Sequence, residues 1–118
     1  MENLDELSID QLHERVIAEN WALLEQTLEV LEQIAIKVEQ MPERAFALFS
    51  LAQPLQMQFD VRERQHDVLQ ASWGLWQAQG FFGKRLQAKE ERAGLMRLFA
   101  DHEMWRNTLR EVEENLNS

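Results

Sequence analysis

The stretch SIDQLHERVIAENWALLEQTLEVLEQIAIKVEQMP, residues 8–42, decides the fold. Ser8-Ile9-Asp10-Gln11 has the form of a capping box: the Ser hydroxyl accepts the amide of residue 11, and the Gln side chain reaches back. Asp10 stands in the first turn, where the helix dipole favours a negative charge. At the far end Met41-Pro42 stops the helix, because a residue before proline is driven out of the helical region. The signals predict one helix to about Gln40. Its apolar residues follow heptad spacing at Ile17, Trp21, Leu24, Leu28, Leu31, Ala35 and Val38, and a second stripe of Val16, Leu23, Val30 and Ile34 widens that face. About 32 residues at 1.5 Å each make a rod of roughly 48 Å, long for so short a chain.

The rest of the chain is helical in character too. Gly and Pro total six residues, there is no Asn-Gly or Asp-Gly hairpin signal, and good helix formers dominate. Pro42 suits the first turn of a new helix. Residues Pro42 to Gln53 are expected as a short helix with Ala45, Phe46, Phe49 and Ala52 on one face, which Pro54 restarts or kinks. A third helix is expected from about Leu55 to Gln79, with Leu55, Phe59, Leu69, Trp73 and Trp76 around a polar middle. Gly80 and Gly83 bracket Phe81-Phe82 and mark a turn or break. A fourth helix from about Lys84 to Asn115 carries a second heptad register: Leu95, Leu98, His102, Trp105, Leu109, Val112 and Leu116. The fold class predicted is all-α: an elongated helical bundle in which two long helices flank a shorter, Pro-interrupted helical region. It forms one domain over 1–118, with 1–7 and 116–118 frayed.

Composition bounds the function. The chain has 118 residues, 45% of them hydrophobic, and no cysteine. It therefore has no disulfide, no thiol nucleophile and no Cys-containing zinc site. No apolar run approaches the roughly 18–20 residues of a membrane span, and the N-terminus is acidic where a secretory signal would be basic. A cytoplasmic protein is expected. The net charge is −9, all of it in the first half: residues 1–60 hold 12 Asp/Glu against 3 Lys/Arg, and residues 61–118 hold 9 of each. Such an acidic half repels nucleic acid and anionic lipid and attracts a basic partner or the basic half of a second copy.

Motifs for chemistry are sparse. Glu63-Arg64-Gln65-His66 matches Glu-x-x-His, but di-iron bundles need two such motifs and further carboxylates. Asp10-Gln11-Leu12-His13 is a poor second copy at a helix start, where His13 is expected to be exposed. His102 falls on the apolar seam, so it is expected beside Trp105 and bonded to a side chain or water. No histidine pair has metal-ligand spacing. The four Ser and two Thr lie in no nucleophile elbow, and Gly80-Phe-Phe-Gly83-Lys84 lacks the spacing and the Ser/Thr of a phosphate loop. No catalytic residue, cofactor or metal is assigned, and an enzyme is not expected. Lys84, Arg85, Lys89, Arg92 and Arg97 form a basic stripe, but Glu90 and Glu91 interrupt it, so direct nucleic-acid binding is not expected.

The strongest local signal is Trp73-Gly-Leu-Trp-Gln-Ala-Gln-Gly-Phe-Phe-Gly-Lys-Arg85. Large aromatics and Arg dominate interface hot spots, and glycine admits close approach of another backbone. Trp73, Trp76, Phe81, Phe82, Lys84 and Arg85 are the candidate partner-binding residues. The function expected is non-enzymatic binding of another protein, as an adaptor, chaperone or inhibitor. The alternative is an acidic DNA-mimic inhibitor of a nucleic-acid-binding protein, in which Glu25, Glu29 and Glu32, with Glu14 and Glu39, imitate a phosphate ladder. A metal-binding helical bundle is a distant third. The two heptad seams, Ile17–Val38 and Leu95–Leu116, also raise the possibility of a homodimer in which one seam meets its copy. In size, acidity and helix content the chain resembles bacterial secretion and flagellar export chaperones and phage-encoded inhibitors, a likeness of composition that transfers no residue.

Overall fold

The Ser8 hydroxyl accepts the Gln11 amide at 3.1 Å, and the Gln11 side-chain oxygen accepts the Ser8 amide at 2.8 Å. The capping box therefore starts helix α1, which runs over Ile9–Gln40 and ends where the Met41 amide donates to the Lys37 carbonyl at 2.8 Å. This computed structural model describes residues 4–117. Beyond α1 it contains α2 over Ala45–Ala78 and α3 over Phe81–Asn117, with 3-10 turns at Leu4–Glu6 and Pro42–Arg44. Among the described residues there is no strand, and 96% are helical. The fold is an all-α elongated bundle with principal extents of 61 × 28 × 16 Å.

The segment expected as two helices around Pro54 is one continuous α2. Proline inside a helix removes one hydrogen bond and costs about 3 kcal/mol. Its ring stands exposed, while Leu48, Leu51, Ala52 and Leu55 on the neighbouring turns all join one core cluster. Burying such side chains contributes roughly 1.5–3 kcal/mol apiece for the leucines. Tertiary packing thus outweighs the local break. The face expected inward at Phe46 and Phe49 is turned outward, and Leu48 is buried in their place.

Helix α1 is the middle member. It packs against both α2 and α3, whose backbones approach each other much less and which meet mainly through side chains. Of the heptad seam expected on α1, Trp21, Leu28 and Ala35 are exposed, Leu24 is buried and Ile17, Leu31 and Val38 are half-buried; the expected second stripe of Val16, Leu23, Val30 and Ile34 is buried, with Asn20 and Thr27 on the same line. Heptad spacing was right, but the centre of the face includes two polar residues that an apolar pattern skips. The α3 register holds: Leu95, His102, Trp105, Leu109 and Leu116 are buried, together with Phe99. The buried line of α1 and the α3 register meet each other within one chain, while Trp21, Leu28 and Ala35 remain exposed.

The core has two apolar parts. One gathers Leu12, Val16, Leu69, Leu95 and Phe99, with Leu4 and Leu7 packed against it. The other gathers Leu23, Val30, Ile34, Leu48, Leu55, Trp105, Leu109 and Leu116. Leu4, Leu7 and Leu116 lie within the segments expected to fray; residues 1–3 and 118 of those segments fall outside the described residues. Buried polar contacts run from the junction of the two parts into the second. Asn20 donates to the Arg62 carbonyl at 3.0 Å, and the Trp105 indole N–H donates to the Thr27 hydroxyl at 3.2 Å, which donates in turn to the Leu23 carbonyl. The Arg62 guanidinium lies 5.3 Å from the Trp105 ring centre, a cation–π distance that bridges the gap between α2 and α3.

Candidate partner-binding end

The turn from α2 to α3 is made by Gln79 in an extended conformation, with φ −67° and ψ 141°. The Lys84 amide then donates to the Gly80 carbonyl at 3.1 Å and opens α3. Among the described residues no glycine has positive φ, and a Cβ placed at Gly74 or Gly80 would meet nothing within 4 Å. The glycines are therefore not needed for the bend, which falls at Gln79-Gly80 alone; Gly83 lies inside the helix.

No residue of α3 before Leu95 is buried. The first turns of α3 thus run past the packed part of the bundle, and they split the six expected contact residues. Trp76 is 5% exposed. It lies against the His13 ring at 6.3 Å between centres. Trp73 is half-buried, its ring nearly parallel to that imidazole at 6.4 Å between centres, and its indole N–H donates to Asp10 at 3.4 Å. These two rings are packing residues that fix the base of the end. Phe81 and Phe82 are 72% and 77% exposed and meet edge to face at 6.0 Å. Leu75 and Leu86, which the sequence reasoning missed, are exposed beside them in the chain. The Lys84 ammonium sits 5.8 Å from the Trp76 ring centre, and Arg85 faces solvent. The first turn of α3 holds no acidic residue, so its amide dipole and the two cations make this tip positive.

His13, expected to be exposed, is buried. The α1 helix turns it inward against the Trp73 and Trp76 rings, and its Nε2 lies 2.9 Å from a Glu91 carboxylate oxygen. Burial pushes the imidazole below its ordinary value, and Glu91 and Asp10 offset that only in part. Glu91 and Arg92, whose guanidinium donates to the Leu7 carbonyl at 2.7 Å, tie α3 to the start of α1 just before the packed part begins. At mid-bundle His102 is buried with Nδ1 3.5 Å from Glu19. Burial alone would raise the Glu19 carboxyl, but the neighbouring His102 and Arg106 outweigh it and hold the group below the usual carboxylate range.

His66 is half-buried with its ring 5.2 Å from that of Trp21. Among the described residues no group of three or more His, Cys, Asp or Glu side chains could hold a metal ion. The acidic candidates Glu25, Glu29 and Glu32 are exposed on α1, and Glu25 accepts the Trp21 indole N–H at 2.6 Å. No helix of the described residues is long and apolar enough to cross a membrane. No family model matches the chain, and neither a curated protein nor a solved structure shows significant similarity to it.

Proposed function

We propose that this chain is a non-enzymatic, cytoplasmic protein-binding protein, an adaptor, chaperone or inhibitor that docks its partner on the tip of α3. The observation that carries the reading is the exposed, edge-to-face pair Phe81–Phe82 on turns that bury nothing of their own. Covering both rings would remove on the order of 300 Å² of apolar surface from water and contribute several kcal/mol. Leu86 extends the apolar area, and Lys84 and Arg85 form a cationic rim that suits a partner with carboxylates around an apolar pocket. The reading requires no cofactor and no metal.

Exposure of Glu25, Glu29 and Glu32 on a helix with seven Asp/Glu against two Lys/Arg supports the second reading, a DNA mimic seated in a basic groove. Affinity capture from a lysate of the native host, followed by mass spectrometry, identifies the partner. Titration with variants then separates the readings. Phe82→Ala is expected to weaken binding by roughly 2 kcal/mol or more, as hot-spot truncations do, whereas reversal of Glu25 and Glu29 to Lys leaves it nearly unchanged. The DNA mimic predicts the reverse, with binding that falls steeply as salt rises.

A further inference from the structure

Helix α2 carries a second row of residues spaced alternately three and four apart. One file is Ala47, Pro54, Val61, Val68 and Leu75. The other is Ser50, Met57, Arg64, Ala71 and Ala78. Every one of these positions is exposed. The row lies to one side of the seven-residue file Leu48, Leu55, Arg62, Leu69 and Trp76, which is buried in the bundle. Only Ser50 and Arg64 interrupt its apolar character. Scattered exposed hydrophobics are ordinary, but a mainly apolar row at heptad spacing along about 47 Å of helix is the pattern of a helix–helix interface. Charge follows the same division. Helix α2 holds three Asp/Glu and two Lys/Arg, against seven and seven on the similar length of α3. All five fall between Asp60 and Asp67, at the middle of the row, which leaves the stretches on either side of it free of charge.

We infer that this row is the interface with a second copy of the chain, paired antiparallel about a two-fold axis. The row is complementary to itself only in that direction. Antiparallel pairing at constant residue sum sets Ser50 against Leu75, Pro54 against Ala71 and Met57 against Val68 of the second copy, a small side chain opposite a larger one at the first two. Arg64 then comes level with Val61 and the adjacent Asp60 of the second copy, and the two-fold axis repeats that opposite-charge pair. Parallel pairing would set Arg64 against Arg64. The same arrangement brings the outward Phe46 and Phe49 at one end of α2 to the other end of its partner helix, where Phe81 and Phe82 begin. A strip of this length and about one helix diameter wide buries on the order of 600 Å² per copy, at the lower end of stable interfaces. A dimer that assembles at micromolar concentration is expected. The acidic surface of α1 belongs to another helix, and charges farther apart than about 10 Å are largely screened at ordinary salt.

Sedimentation equilibrium of the full chain from about 1 to 200 μM is the test in this range. The mass is expected to rise from 14.0 kDa to twice that value. Val68→Glu and Arg64→Asp should each raise the dimer dissociation constant at least about tenfold with unchanged far-ultraviolet circular dichroism, since both sites are exposed in the single chain. Asp60→Arg combined with Arg64→Asp should restore association. The chain has no cysteine, so single thiols report direction. An oxidised mixture of Ser50→Cys and Leu75→Cys chains should give mainly the mixed disulfide. A monomer throughout, a dimer indifferent to Val68→Glu, or a preference for like-with-like disulfides would overturn the proposal.

Discussion

The two parts of α3 have opposite relations to the rest of the chain. From Leu95 onward, six residues at heptad-like spacing are buried against α1. From Phe81 to Gly94 none is buried, although the segment begins with two phenylalanines. Both parts have helical propensity, so propensity is not the difference. What differs is whether α1 lies alongside. The contacts of Glu91 with His13 and of Arg92 with the Leu7 carbonyl mark the level at which α1 begins. An apolar side chain above that level stabilises the fold, and one below it is left for something else to cover.

The largest effect expected is at Trp105. Trp105→Ala should cost about 3–5 kcal/mol of stability, because it leaves a cavity in the core and strips the Arg62 guanidinium and the Thr27 hydroxyl of a partner. Urea denaturation of the variant measures it. Leu109→Ala, at a fully buried member of the same core part, should cost about 2–5 kcal/mol. A cost near zero at either site would erase the distinction between the two parts of the helix.

A smaller effect is expected at the boundary, and it depends on pH. His13 titrates below its ordinary value of 6.5 because it is buried. The unfolded chain therefore binds the proton more readily than the folded one. Stability is complete above the unfolded value and is lost as the pH falls from it toward the folded value. The Glu19 carboxyl, also held low, contributes stability above its ordinary value of 4.5 that is lost only below it, so the loss that begins below 6.5 belongs to His13. Urea midpoints at about pH 7.5 and pH 5.5 should show the protein weaker at the lower pH. His13→Gln should flatten that slope, and a variant that keeps the full slope would place its origin elsewhere.

The smallest effects on folding are expected at the tip. Phe81→Ala and Phe82→Ala should each change stability by less than about 0.5 kcal/mol, as exposed substitutions do. A loss of several kcal/mol would show that these rings are structural.

The legible parts of the molecule were the local ones. The cap at Ser8, the stop before Pro42 and the α3 register each depend on residues within a few positions of one another, and all hold. The parts that could not be seen depend on distant partners. Asn20 and Thr27 sit on the buried line of α1 because the Arg62 carbonyl and the Trp105 indole reach them from other helices. His13 is buried by Trp73, Trp76 and Glu91, more than fifty residues away in sequence. Pro54 was a sound local signal that packing on both sides overrode. At the candidate site the aromatic cluster was visible as composition, but its division into inward Trp and outward Phe was not. That division follows from where α1 starts relative to α3, which no local pattern encodes. Leu86 was overlooked because it lies past Lys84 and Arg85, outside the run of aromatics.

Hydrogen exchange of the chain alone and bound to its captured partner tests the central claim most directly, since amide protection reports where the partner lies. Binding at the tip predicts that amides of residues 79–90, fast in the free chain, become protected in the complex while those around Glu25–Glu32 are unchanged. New protection along Glu25–Glu32, with residues 79–90 still exchanging freely, would contradict it and move the binding surface to the acidic face of α1.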